Sequence, residues 1–145
     1  MAKKVSITKT VRVPAEQIFD ALTDPTQHAL IDGSGSVRGT LAGTTMRLKL
    51  GDTFGMDMRL GAPYRVTNRV VEYEEGKLIA WRHFGGHRWR WELTPVDEQS
   101  TEVTETFDYS TAHVPFLVEL AGFPARNRKG IQATLDRLEA VLGGK

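Results

Sequence analysis

Leu78 to Leu93 reads LIAWRHFGGHRWRWEL, two strand-like runs that meet at Gly85-Gly86. A Gly-Gly dipeptide suits the positive φ angles of a tight hairpin turn. With those glycines as the turn, Phe84 pairs with His87, Arg82 with Trp89, and Ala80 with Trp91. Side chains alternate along a strand, so these pairs share one face with Leu78 and Leu93. The other face then carries Ile79, Trp81, His83, Arg88, Arg90 and Glu92. An aromatic face seeded with an arginine and a histidine is what a ligand cavity needs, and a plain core also tolerates it.

Further strand patterns flank the hairpin. Upstream, Val37 to Leu41, Met46 to Leu50, the alternating Phe54-Met56-Met58-Leu60 run and Tyr64 to Tyr73 all read as strands. Downstream, Pro95 to Ser100 is a polar turn that leads into Thr101 to Tyr109. Both ends of the chain depart from this rhythm. Val5 to Val13 predicts a strand, Pro14 suits the first turn of a helix over Ala15 to Leu22, and Thr26 to Ile31 predicts a second short helix. Gly33-Ser34-Gly35-Ser36 lacks the Lys-Ser/Thr of a phosphate loop and reads as a bend into the sheet. Pro115 to Leu120 predicts a short helix or turn. Ile131, Leu135, Leu138 and Leu142 then recur at helical spacing up to Gly143-Gly144, with Pro124 near the start. The order predicts one α+β domain over residues 1–145, a curved antiparallel sheet covered by a long C-terminal helix.

Composition narrows the function. A formal net charge of +1 gives no electrostatic reason to expect nucleic-acid binding, and no stretch approaches the roughly 20 apolar residues of a membrane span. MAKKVSITKTVRV alternates instead of running apolar, so no signal peptide is expected and cytoplasmic is the default location. The absence of cysteine removes disulfides, thiolate metal sites and a thiol nucleophile. His83 and His87 are set on opposite faces by the expected register, His28 and His113 are distant, and no local carboxylates complete a site, so no metal is expected. No Ser/His/Asp or dinucleotide signature occurs, and no cofactor is expected.

The element order, with Val13-Pro14-Ala15-Glu16-Gln17-Ile18-Phe19, Gly51-Asp52-Thr53-Phe54, Tyr64-Arg65-Val66-Thr67-Asn68, Trp89-Arg90-Trp91-Glu92-Leu93-Thr94-Pro95 and Thr101-Glu102-Val103-Thr104-Glu105-Thr106, resembles the START-like or SRPBCC superfamily along essentially the whole chain. Gly55 to Arg59 and Phe84 to Trp89 are similar to an actinobacterial subgroup of it. The resemblance implies the helix-grip (Bet v 1-like) fold of polyketide cyclase/dehydrase and lipid-transport proteins, with a cavity between sheet and helix. It implies no catalytic role for any residue, because no single catalytic set unites the superfamily.

Alternation supplies the candidates for that cavity: Phe54, Met56 and Met58; Tyr64 and Asn68; Arg82, Phe84, His87, Trp89 and Trp91; Glu105, Phe107 and Tyr109; and Phe123, Asn127 and Ile131 from the helix. Methionine and aromatic side chains suit an apolar or aromatic small molecule of adaptable shape. Arg82 and Glu105 are expected to seek partners, each other first, because an isolated buried charge costs several kcal/mol. Such a pair could orient a ligand carbonyl or phenol; the plainer reading is a structural ion pair, or two groups that reach water. In an enzyme, Arg82 would polarise a carbonyl while Glu105, His87 or Tyr109 moved protons. A third reading is a partner-protein or stress-response module that uses Trp81 and its arginines as an exposed patch, against which stands simple stacking of Arg90 on Trp81. Arg126, Arg128 and Lys129 oppose the dipole near the helix start, which reads as a solvated basic surface or an anion site.

Overall fold

Pro14 opens the first helix. Its φ of −60° and ψ of 143° set the entry, and its carbonyl accepts from the N–H groups of Gln17 (3.1 Å) and Ile18 (3.2 Å). Helix α1 (Ala15–Leu22) buries Ile18, Phe19 and Leu22. It stops at Thr23, whose N–H and hydroxyl both donate to the Phe19 carbonyl at 2.9 Å. The computed structural model describes residues 4–24, 37–40, 47–60, 62–82, 87–110 and 123–143, without the side chains of 37–40, 55–60, 62–66, 123–124 and 126. The expected helices at Thr26–Ile31 and Pro115–Leu120, the Gly33–Ser36 bend, and His28, His83, Phe84 and His113 lie outside the described residues.

The strands are β1 (Lys4–Val11), β2 (Val37–Thr40), β3 (Thr53–Leu60), β4 (Ala62–Glu74), β5 (Leu78–Arg82), β6 (Arg88–Pro95) and β7 (Thr101–Asp108). They form one antiparallel seven-stranded sheet in the order β1-β7-β6-β5-β4-β3-β2. Among the described strands, only β1 pairs with one far away in sequence, β7, and β2 stands at the opposite edge of the sheet. Gly76, at a φ of +77°, makes the tight turn between β4 and β5, a conformation that glycine adopts without steric cost.

Helix α2 (Phe123–Gly143) packs on the concave face against β1 and β7. Its stripe of Ile131, Leu135, Leu138 and Leu142 is buried with Val5, Val11, Leu93 and Val103. Each such aliphatic side chain contributes about 1.5–3 kcal/mol through removal from water. Polar contacts hold the helix in register: Lys9 Nζ meets Asp136 Oδ1 at 2.7 Å, and the Arg12 N–H donates to Glu139 Oε2 at 2.9 Å.

Two sequence-based expectations are corrected. Residues 47–50 are not a strand; Leu48 is buried and its N–H donates to the Thr23 carbonyl at 2.7 Å, tying this segment to the end of α1. The β5–β6 register also differs by one residue. Arg82 pairs with Arg88, Trp81 with Trp89, Ala80 with Arg90, and Ile79 with Trp91. A one-residue slip moves every side chain of a strand to the other face. The expected pairing would leave Ile79 and Trp81 in water and bury Arg82. In the observed one Ile79 is fully buried, Trp81 packs against the core, and Arg82 is exposed.

Candidate functional site

The concave face of the sheet holds the candidate site. Strand alternation brings Val70, Trp81, Trp89 and Phe107 into one cross-strand row, and Tyr73, Ile79, Trp91 and Glu105 into the next. Aromatic rings cluster into a wall here. Phe54 meets Trp81 edge-on at 5.4 Å between centroids, Trp89 lies 5.0 Å from Phe107, and Phe107 stacks on Tyr109 at 5.6 Å. Edge-to-face and offset contacts of this kind add about 0.5–1.5 kcal/mol each beyond simple burial.

Polar atoms interrupt the wall. Asn68, opposite Phe54 in the ladder, is 5 % exposed, and Trp91 is 3 % exposed. Among the described residues, neither Asn68 Oδ1 nor Trp91 Nε1 has a hydrogen-bond partner. One is a buried acceptor and the other a buried donor, and leaving each unsatisfied costs about 1–3 kcal/mol. Glu105 is buried beside Trp91 on the neighbouring strand. His87 sits edge-on to Phe107 at 5.1 Å, and burial pushes its pKa down to about 4. The imidazole is therefore neutral at pH 7, and a proton acceptor of low basicity.

Of the sequence-predicted residues, the structure brings together Phe54, Asn68, His87, Trp89, Trp91, Glu105, Phe107 and Tyr109 on this face, with Ile131 buried under α2. Asn127 is half-buried in α2. In the ladder Met56 stands opposite Val66 and Met58 opposite Tyr64, and α2 begins at Phe123; the side chains of Met56, Met58, Tyr64 and Phe123 lie outside the described ones. Arg82 does not join the site. It projects from the convex face, so it neither pairs with Glu105 nor reaches a ligand on the concave one. Trp81 moves the opposite way, into the wall, which removes the exposed recognition patch built on it and the stacking of Arg90 upon it. The signal for Trp81 was present in β5 itself, where Ile79 and Trp81 alternate with Ala80 and Arg82.

The convex face is organised by charge. Glu72 accepts from Arg88 Nη1 at 2.9 Å and from Arg90 Nε and Nη2 at 3.0 and 2.8 Å. Hydrogen bonds from Arg90 and then Arg88 hold the Glu72 carboxyl below the usual range, against an opposing desolvation effect. Arg90 Nη2 also lies 3.4 Å from Asp108 Oδ2. Burial raises the Asp108 pKa, but hydrogen bonds from Ser110 and the Arg90 charge outweigh it, and the net shift is downward.

Residues 2–143 match the family described as polyketide cyclase / dehydrase and lipid transport. The chain belongs to this family. Two Mycobacterium tuberculosis proteins, Rv0088 and MT0096 from a second strain, are 41% and 40% identical to it over 140 residues. Each alignment takes in 93% of this chain, which spans 62% of the length of those relatives. The helix-grip fold of the START-like superfamily is shared with solved structures. Protein NE0264 from Nitrosomonas europaea superposes with a TM-score of 0.76 at 18% identity, covering 99% of this chain and 97% of its own. The AHSA1-like protein from Aeromonas hydrophila does so at 0.65 and 20% identity, covering 95% and 93%. Among the described residues, no helix is long and apolar enough to cross a membrane.

Proposed function

We propose that this family member, taken as one domain over residues 1–145, binds a small hydrophobic or aromatic molecule, lipid- or polyketide-like, between the concave sheet face and α2. The observation that carries the reading is a pair of buried atoms, Asn68 Oδ1 and Trp91 Nε1, unpartnered among the described residues and set into a largely aromatic wall. An apolar body with a hydroxyl and a carbonyl would satisfy both while it covered the rings. The test is native mass spectrometry of the purified protein, followed by tryptophan-fluorescence titration with a fatty acid and a hydroxylated flavonoid. Trp91→Phe keeps an aromatic ring, though a smaller one, and removes the donor, so affinity for the flavonoid falls by about five- to tenfold. No bound species, no saturable titration and a fully packed interior would together end this reading.

A second reading, cyclisation or dehydration of an aromatic or polyketide-like substrate, is supported by the neutral His87, by Tyr109, which packs on the same Phe107 ring, and by Glu105 on the same face. Arg82 has no part in it. With a turned-over substrate in hand, Glu105→Gln, His87→Gln and Tyr109→Phe should each lower kcat. Unchanged turnover in all three would exclude the enzyme reading.

A further inference from the structure

On the convex face, Arg69 of β4 stands directly opposite Arg82 of β5, and Arg82 directly opposite Arg88 of β6. Neighbouring strands are about 4.8 Å apart, and like charges placed directly opposite each other destabilise a sheet. The nearby carboxylates attend only one end of this row. Glu72 and Asp108 serve Arg88 and Arg90. Among the described residues, no acidic group pairs with Arg69 or Arg82, both exposed. A groove of about 450 Å³ opens beside these two arginines, bounded also by Thr67, Asn68, Val70, Val71, Leu50 and Gly51. Leu50 is 62% exposed and forms an apolar shoulder. A β-bulge between Val70 and Glu72 bends β4 beside the groove, and Gly51 turns the chain there at a φ of +89°.

We propose that this groove is a second binding site, its arginines on the side of the sheet away from the aromatic wall, for a small phosphate monoester. Charge selects the class. Two guanidinium groups match a phosphate monoester of roughly −1.5 to −2 charge at pH 7, whereas a carboxylate neutralises only one of them. Geometry supports it, since the planar guanidinium fork donates two parallel hydrogen bonds to phosphate oxygens. The Thr67 hydroxyl supplies a further donor, and Leu50 with Val71 offers contact to the organic part. The volume lies within the roughly 300–1,000 Å³ of small-molecule sites. By register Thr67, Arg69 and Arg82 stand on the convex face, while Asn68 and Val70, which the groove also touches, stand on the concave one.

The test is two-dimensional NMR titration of the full chain with glycerol 3-phosphate, and with acetate as the singly charged comparison. Saturable shifts should cluster at residues 50–51, 67–71 and 82, weaken at high salt, and be at least tenfold weaker with acetate. Arg69→Gln and Arg82→Gln should each weaken binding about tenfold, while Lys129→Gln on α2 leaves it unchanged. Thermal melts of the same variants separate lost binding from lost folding; both arginine variants should melt at or slightly above wild type, because a like-charge contact is removed. Co-sedimentation with phosphatidylcholine vesicles, with and without phosphatidic acid, tests the other source of a phosphate monoester. The proposal is overturned by unsaturable shifts, by equal binding in the arginine variants, or by vesicle binding without binding of free glycerol 3-phosphate.

Discussion

On the concave face, Val70, Trp81, Trp89, Phe107 and Val5 form a single cross-strand row; on the convex face, the adjacent row reads Arg69, Arg82, Arg88, Asp108 and Lys4. One residue along each of five strands separates an aromatic wall from a charged ribbon. The two rows are stabilised by different physics. The first gains from exclusion of water and from ring contacts, at about 25 cal/mol for each Å² of apolar surface buried. The second depends on water and on carboxylates, so its members stay stable only where they are paired or exposed. The contrast also protects the register. A one-residue slip would bury three arginines, each at a cost of several kcal/mol, and expose two tryptophans.

The most damaging break to this contrast is Phe107→Ala. Phe107 touches His87, Trp89 and Tyr109 and is nearly fully buried, so the substitution should cost about 3–5 kcal/mol in urea unfolding. The next largest effect comes from pH. The His87 pKa is lowered to about 4 in the folded protein, below the ordinary 6.5. Above pH 6.5 both folded and unfolded chains hold it neutral and stability does not depend on it. As pH falls from 6.5 towards 4 only the unfolded chain takes up the proton, so stability falls by up to about 3 kcal/mol and then levels off. His87→Phe should flatten that part of the stability profile.

Smaller effects belong to the convex face. Glu72→Gln leaves Arg88 without its carboxylate and Arg90 with Asp108 alone, and should cost about 1–2 kcal/mol at low salt. Since the Glu72 pKa is lowered in the fold, its stabilisation is complete above the ordinary carboxylate range and is lost as pH falls through the lowered value. Wild type and Glu72→Gln should therefore converge in strongly acidic urea melts. Arg82→Ala sharpens the comparison from the other side. This exposed residue should change stability by no more than about 0.5 kcal/mol, and a larger loss would mean that the convex row is held together more tightly than its geometry implies.

Much of this arrangement was legible before any coordinates. The β1–α1 boundary at Pro14 and the Ile131-Leu135-Leu138-Leu142 stripe declare themselves through period and turn chemistry. So does the inward phase of Trp89 and Trp91 on β6, and of Glu105 and Phe107 on β7, because each strand's alternation is internally consistent. At β5 the Gly85-Gly86 turn predicts one phase and the strand's own alternation the other, and the structure follows the strand. Ile79 and Trp81 outweigh Ala80 and Arg82 in apolar area, and burial of that area sets the pairing.

By itself, the sequence determined the antiparallel sheet with its covering helix, and most members of the concave wall, since these follow from local period and composition. Only the tertiary structure decided that Arg82 and Glu105 lie on opposite faces, that Trp81 belongs to the wall, and that Asn68 Oδ1 and Trp91 Nε1 are buried without partners among the described residues. Those facts depend on strand register and on long-range packing. Both are settled by the summed burial of several strands and a distant helix, which no single stretch of chain encodes.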